Sequence, residues 1–438
     1  MGSLEVELLP WQSLAAGLGF SSPDEEYWWT TFAQPLNQLM EWANYSIAEQ
    51  YRVLAFLHRY IIPTCGPKPY RNGEQYWKTF MGFDHTPIQV SINFYNSKAT
   101  VRTANIPICS LSGSALDPIN QKATTDTLNA QKHLAPGNDL RWFEHFAKAF
   151  FLPNDEAHLL NAEVSDRVLA MQGVQGMLSY DFAYHSTQTK VAMSPIWKHI
   201  ETGQSIGDLM TQAIKGLGDE AAGYMQSLGV LEAFMESEAA KNAGASPAFF
   251  AFDTTLSKQY KSSRIKVYFA TPRTAFNSMV EIFTLGGRLN GPEMDRAIQA
   301  LRLLWTSVIN VPEGLSDDDD ILPKNLHRCA CVIFNFEIWP GASVPTPKIY
   351  LPAAYYGKPD LEIAEGMDVF FKSQGWNQPF HSYRDNYAKA FLRDQKVTCR
   401  HHDVSFSYKG EGAYVTAYYK PELDAFADAA TWSPKIYK

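Results

Sequence analysis

Ser263-Arg264-Ile265-Lys266-Val267-Tyr268-Phe269 alternates without a break. In an extended chain Arg264, Lys266 and Tyr268 share one face, and Ile265, Val267 and Phe269 the other. The pattern recurs. Tyr414, Thr416 and Tyr418 stand against Val415, Ala417 and Tyr419. Lys348 and Tyr350 oppose Ile349 and Leu351, and Gln89, Ser91 and Asn93 oppose Ile88, Val90 and Ile92. For any one strand, the ordinary reading is an apolar face on the core and a polar face in water.

Working outward from residues 263–269, each alternating segment has a partner close by. Phe249 to Thr254 precedes it, and Ile88 to Phe94 pairs with Thr100 to Asn105 across a Tyr-Asn-Ser-Lys turn. Gly176 to Tyr184 goes with Thr189 to Ser194, Cys331 to Glu337 with Lys348 to Leu351, and Val404 to Tyr408 with Tyr414 to Tyr419. The connections are too brief for a crossover, so the pairs are antiparallel. Helical sequence fills the intervals: Leu140 to Phe151, Ile206 to Ala243, Arg273 to Leu285, Pro292 to Val308, Leu361 to Ser373 and Tyr383 to Arg393. At the N-terminus, Ser22 as N-cap, Pro23 at the first helical position and Glu25 as the closing residue of a capping box start a helix. That pattern runs, with room for a break, from Tyr27 to Tyr60 and is expected to stop before Pro63.

Five strand pairs thus recur about every 70 to 90 residues, a period longer than any solenoid repeat. Ten antiparallel strands prefer to close, because closure removes both edges. The expected fold is α+β: a ten-stranded antiparallel β-barrel of ααββ repeats ringed by helices. Residues 1–438 would form one domain, with 1–80 as its mainly helical N-terminal part. An open sheet layered with helices, split into two domains, is the alternative. If helices coat the sheet, the apolar faces must point outward and the polar faces into the lumen. Arg, Lys and Tyr from several strands then converge, with few carboxylates among them. Buried cations need an anionic partner, so the lumen should take a diphosphate or another multivalent anion.

Composition narrows the class. The chain is 45% hydrophobic and 19% charged, with a net charge of −8, whereas nucleic-acid binding needs a basic surface. No basic region followed by an apolar run opens it, and no stretch of about 18 uncharged apolar residues occurs, so neither a signal peptide nor a membrane span is expected. Five scattered cysteines (Cys65, Cys109, Cys329, Cys331, Cys399) show no paired metal spacing. Cys329 and Cys331 are two apart on an expected strand and point the same way. A reducing, cytoplasmic location is expected. Aromatic residues make up 13% of the chain, enough for a cavity that holds flat substrates or carbocations.

At Ser263-Arg-Ile-Lys-Val-Tyr, followed by a helix and Leu285-Gly-Gly-Arg288, the chain resembles the fungal dimethylallyltryptophan synthase family of aromatic prenyltransferases, over nearly its whole length. The resemblance implies the barrel counted above, no metal and no cofactor, and two substrates: an allylic diphosphate and a small aromatic acceptor. Carried over motif by motif, it implies that Arg102, Lys190, Arg264, Lys266 and Lys348 bind the diphosphate. Tyr268, Tyr350, Tyr414 and Tyr418 would bind it too and shield the allylic cation. It assigns catalysis to Gln89, Lys190 and Tyr268, and the acceptor and prenyl pocket to Met81, Gln89, Ala192 and Ser194. A homodimer is the candidate assembly, with the oligomeric state left open.

Two departures bear on the acceptor. Most indole-prenylating relatives carry a Glu where His85-Thr-Pro-Ile-Gln-Val places Gln89. An amide oxygen can accept an indole N–H but supplies neither charge nor a base. That favours a phenolic, polyketide or quinolone acceptor over plain tryptophan, with an indole or tryptophan-derived acceptor as the alternative. Ala192 and Ser194 replace tyrosines, and a lysine of relatives is missing near Gly176, which points to a roomier site for a longer prenyl chain or a bulky acceptor. A barrel that binds such ligands without turnover is the reading from another class.

Two other motifs point elsewhere. Asp317 to Asp320 has the look of a magnesium-binding aspartate motif, but Ile321 takes the fifth position, so a solvated charge run is expected. His401-His402-Asp403 suggests a metal or a proton relay. Adjacent strand residues face opposite sides, which argues against a shared metal.

Overall fold

In the computed structural model, which describes residues 9–82, 84–133, 138–163, 175–254, 263–323, 330–376, 382–393, 395–410 and 412–423, the alternating segments close into a barrel. Its strands are β1 (Ile88–Tyr95), β2 (Lys98–Asn105), β3 (Gly176–Ala183), β4 (Ser186–Met193), β5 (Ser246–Asp253), β6 (Ile265–Thr271), β7 (Val332–Ile338) and β8 (Thr346–Leu351). A small hairpin follows, β9 (Leu392–Arg393) with β10 (Lys396–Val397), and then the last two barrel strands, β11 (Cys399–Lys409) and β12 (Gly412–Pro421). The order around the barrel is β1-β12-β11-β8-β7-β6-β5-β4-β3-β2. Every adjacent pair is antiparallel, so the expected ten-stranded closure is what forms.

The hairpin between β1 and β2 turns on Asn96 and Ser97, both left-handed at φ 48° and 56°. That backbone matches the twist of its strands. Closure with helices outside decides which face is wet. Ile265, Val267 and Phe269 are buried on the outer surface, where Phe234 meets Phe269 at 6.0 Å between ring centroids. Phe146 meets Phe250 edge-on at 4.6 Å. Each fully buried side chain of this size contributes about 1.5–3 kcal/mol, so a slip of one residue, which exchanges the faces, is excluded by burial.

The N-terminal helix Pro23–Trp42 lies against β1, β2 and β12. Ser22 Oγ accepts from Glu25 N at 3.2 Å, while Glu25 Oε2 reaches Ser21 N rather than Ser22 N. Helix Pro23–Trp42 breaks at residues 43–46, and Ser46 caps its successor, Ile47–Phe56. Trp28 and Trp29 are core residues. The helical path does not stop before Pro63. It widens into a π turn over Leu57–Ile61 and then tightens into a 3-10 turn, Ile62–Thr64, with Pro63 in its first turn, where no N–H is needed.

The Leu285-Gly-Gly-Arg288 motif is structural. Leu285, Gly286 and Gly287 are all left-handed, and a Cβ on Gly286 would sit 3.0 Å from that of Ala239. The Arg288 guanidinium donates to Leu285 O and Ala233 O at 2.9 and 3.0 Å. Asp317 to Asp320 is largely exposed, as expected of a solvated run, but its carboxylates also have partners. Asp320 Oδ1 accepts from Thr274 N and Ala275 N at 2.6 and 2.9 Å, ahead of helix Phe276–Phe283. Asp317 pairs with Arg302, and Asp318 accepts from Asn277. This loop anchors a helix N-terminus, where negative charge is favoured. Cys329 lies outside the described residues, and Cys331 directly precedes β7. Among the described residues, no helix is long and apolar enough to cross a membrane.

Candidate active site

The barrel lumen holds a cavity of about 250 Å³. Of the residues singled out in the sequence, Met81, Gln89, Arg102, Lys190, Ala192, Ser194, Lys266, Tyr268, Lys348, Tyr350 and Tyr418 line it. Arg264 and Tyr414 do not. They stand behind it: Tyr414 accepts from the lining Arg102, and Arg264 pairs with Glu337 and Asp253.

One end is cationic. Arg102, Lys190, Arg264, Lys266 and Lys348 are joined there by Lys409 at the end of β11. The expectation of few carboxylates is corrected, since Asp181, Asp253 and Glu337 share this end. Arg102 Nε lies 3.1 Å from Asp181 Oδ1, and Lys190 Nζ pairs with the other oxygen. Arg264 spans Asp253 at 3.2 Å and Glu337 at 3.1 Å. Glu337 also meets Lys409 at 3.2 Å and Lys266 at 4.0 Å. Lys348 Nζ sits over the Tyr414 ring at 4.5 Å, and Tyr414 Oη accepts from Arg102 at 2.6 Å.

Three carboxylates cannot neutralise six cations, and the surplus shows in the titration of the lysines. Burial pushes the Lys266 ammonium down, the charges of Arg264 and Lys190 add to this, and it falls to about 7. Lys348 is pushed well down, first by burial and then by Lys266, Lys409 and Arg102 against the pull of Glu337. Burial alone would raise Glu337 and Asp181. The surrounding cations hold both below the usual carboxylate range. Such a cluster is built to receive further negative charge.

The other end is aromatic and apolar. Tyr268 stacks on Phe249 at 4.2 Å with 18° between the planes. Tyr350 stands 6.3 Å from Tyr268 and 5.7 Å from Tyr418, and its hydroxyl accepts from Asn335 Nδ2 at 2.9 Å. Burial raises all three phenols, so they stay neutral and offer π faces. Beyond them lie Phe80, Met81, Gln89, Ala192 and Ser194. On β3 the lumen side chains are Met177 and Ser179. Gly176 faces outward, where a Cβ would meet Thr124 at 2.6 Å.

Sequence reasoning missed Asp181, Asp253, Glu337 and Lys409, although the alternation that selected the cations places each on a lumen face. It also left His402 and Asp403 unassigned, and both line the cavity.

Residues 24–386 match the family model for tryptophan dimethylallyltransferase. The chain belongs to that family. It is therefore a prenyltransferase. An indole diterpene prenyltransferase of Penicillium janthinellum is 90% identical over the full length of both chains. Another from Penicillium paxilli is 65% identical over the same span. The crystal structure of AnaPT from Neosartorya fischeri superposes with a TM-score of 0.81 at 25% identity, covering 95% of this chain and 98% of that one. These relatives do not support the preference for a phenolic, polyketide or quinolone acceptor, and the indole alternative fits better. The Gln89 amide lacks the charge of a Glu but keeps an acceptor oxygen, so this position does not by itself exclude an indole.

Proposed function

We propose that the protein transfers a dimethylallyl or longer prenyl group from its diphosphate to the indole of an indole diterpene, without a metal. The observation that carries this is the division of one lumen into a cation-rich end and an aromatic end, with Tyr268, Tyr350 and Tyr418 between. The full-length identity to indole diterpene prenyltransferases supports the acceptor class.

The diphosphate sits among Arg102, Lys190, Lys266 and Lys348, with Arg264 and Tyr414 behind them. As the C–O bond breaks, the electron pair leaves with the diphosphate, and these fixed cations stabilise the growing charge in a water-poor site. The tyrosine faces stabilise the allylic cation by about 0.5–2 kcal/mol each and keep water from it. The aromatic ring attacks from the apolar end, oriented by the Gln89 amide. Ala192, Ala251 and Ser194 leave that end open, as a bulky terpenoid needs.

Incubation with dimethylallyl diphosphate, an indole diterpene and EDTA should give a prenylated product. No product from any indole acceptor, or strict dependence on magnesium, would overturn the reading. Gln89→Ala should lower kcat/KM for the acceptor about tenfold, the worth of one hydrogen bond of about 1–1.5 kcal/mol. Donor affinity, read by calorimetry, should not move.

A further inference from the structure

Prenylating an aromatic carbon leaves that carbon with both its new substituent and its hydrogen. Aromaticity returns only when a base takes the proton. The apolar end offers few candidates. The Gln89 amide is no base, the three phenols are neutral, and β3 presents Met177 and Ser179. Lys190 is paired with Asp181 at the diphosphate end.

A β-bulge supplies the missing group. His401 pairs with Tyr419 and Asp403 with Tyr418, so His402 is an extra residue in β11. His401 points outward, where its Nδ1 meets Asp360 Oδ1 at 2.9 Å and its Nε2 the Tyr383 hydroxyl at 3.0 Å. The bulge instead brings both His402 and Asp403 to the cavity wall. His402 Nδ1 lies 2.6 Å from Asp403 Oδ2. A carboxylate accepts, so Nδ1 is the donor of this pair, and Nε2 is the ring nitrogen left free of Asp403. His402 is 7% exposed, and its Nε2 is buried with no hydrogen-bond partner among the described residues. The other titratable groups around the pair are Tyr355, 6.2 Å away and edge-on, Tyr418 across the ladder from Asp403, and Cys331. Burial pushes the Cys331 thiol up to about 12, with the Asp403 charge adding to it, so it stays neutral.

We propose that His402 is the base of the transfer and that Asp403 is its positioning residue. The inference rests on the prenyl-transfer reading of this cavity. The allylic C–O bond breaks and the diphosphate leaves with the electron pair. The aromatic carbon forms the new C–C bond, and His402 Nε2 then takes the proton while the C–H electron pair returns to the ring. Asp403 holds the imidazole orientation and balances the imidazolium.

The test uses full-length protein, dimethylallyl diphosphate, and an indole diterpene acceptor, unlabelled or deuterated on the indole ring. His402→Asn should lower kcat at least a hundredfold and raise the deuterium isotope effect on kcat well above its wild-type value. It should also remove the acid limb of the kcat–pH profile. Calorimetric donor binding should be unchanged. Added imidazole should restore part of the rate. Asp403→Asn, which keeps the size but lets the ring turn over, should lower kcat about tenfold or more with donor KM unchanged, and it serves if the histidine variant does not fold. Wild-type kcat, pH profile and isotope effect in either folded variant would overturn the assignment of the base while leaving prenyl transfer intact. A wild-type enzyme that prenylates no indole would instead overturn the reading on which it rests.

Discussion

Lys266→Met is expected to lower kcat/KM for the prenyl diphosphate by about a hundred- to a thousandfold, the cost of removing one fixed stabiliser of transition-state charge. Steady-state kinetics at varied donor check this. The same lysine should give a proton signature. In the empty barrel its ammonium is pushed down to about 7 by burial and by Arg264 and Lys190. A bound diphosphate favours the charged form and raises it again. At pH 8 donor binding should therefore take up close to one proton at this site, and at pH 6 none, because Lys266 is already charged. Calorimetry in buffers of different ionisation heat reads the difference, and Lys266→Met should remove the share of the uptake that belongs to this lysine. The variant should melt no lower than the wild type, since it removes a buried charge set among like charges. A variant that keeps wild-type kinetics would mean that the diphosphate does not sit at this end.

Glu337→Ala should have the largest effect on stability, a loss of about 3–5 kcal/mol in urea unfolding, because it strands buried cations without their counter-charge. Glu337 is 3% exposed and faces Arg264, Lys266 and Lys409 together. Its carboxyl is held well below the usual value of 4.5 in the fold, burial being outweighed by those cations. Its contribution is thus fully present above the unfolded value and is lost as the pH falls through the folded one. The wild type should lose stability in acid over a range that the variant lacks. Inorganic pyrophosphate should raise the melting temperature of both proteins, and by more in the variant. A loss under 1 kcal/mol would show that the cations are wetter than their burial implies.

Both residues lie on lumen faces, yet only Lys266 was legible. Its strand, residues 263–269, is polar on one side and apolar on the other, and its motif matches a family pattern. Glu337 stands in Val332–Ile338, where Ile333, Asn335 and Glu337 share a face that carries no such pattern. Alternation puts that face in the lumen, but which cations Glu337 meets is fixed only by the register with Lys266. His402 was harder still. In a regular strand, alternation separates His402 from Asp403. Only the slip in register between β11 and β12 puts both on the same wall.

The period-two alternation, the brief hairpin connections and the helical intervals were enough to determine a closed antiparallel barrel with its polar faces inward, because covering the sheet with helices leaves the apolar side chains no other place. Which carboxylates answer which cations, how far Lys266 is pushed from its ordinary charge, and that His402 joins Asp403 at the cavity were decided by the tertiary structure alone. Those properties depend on distances between strands far apart in the chain and on one extra residue in a ladder, and neither is encoded in the pattern of any single segment.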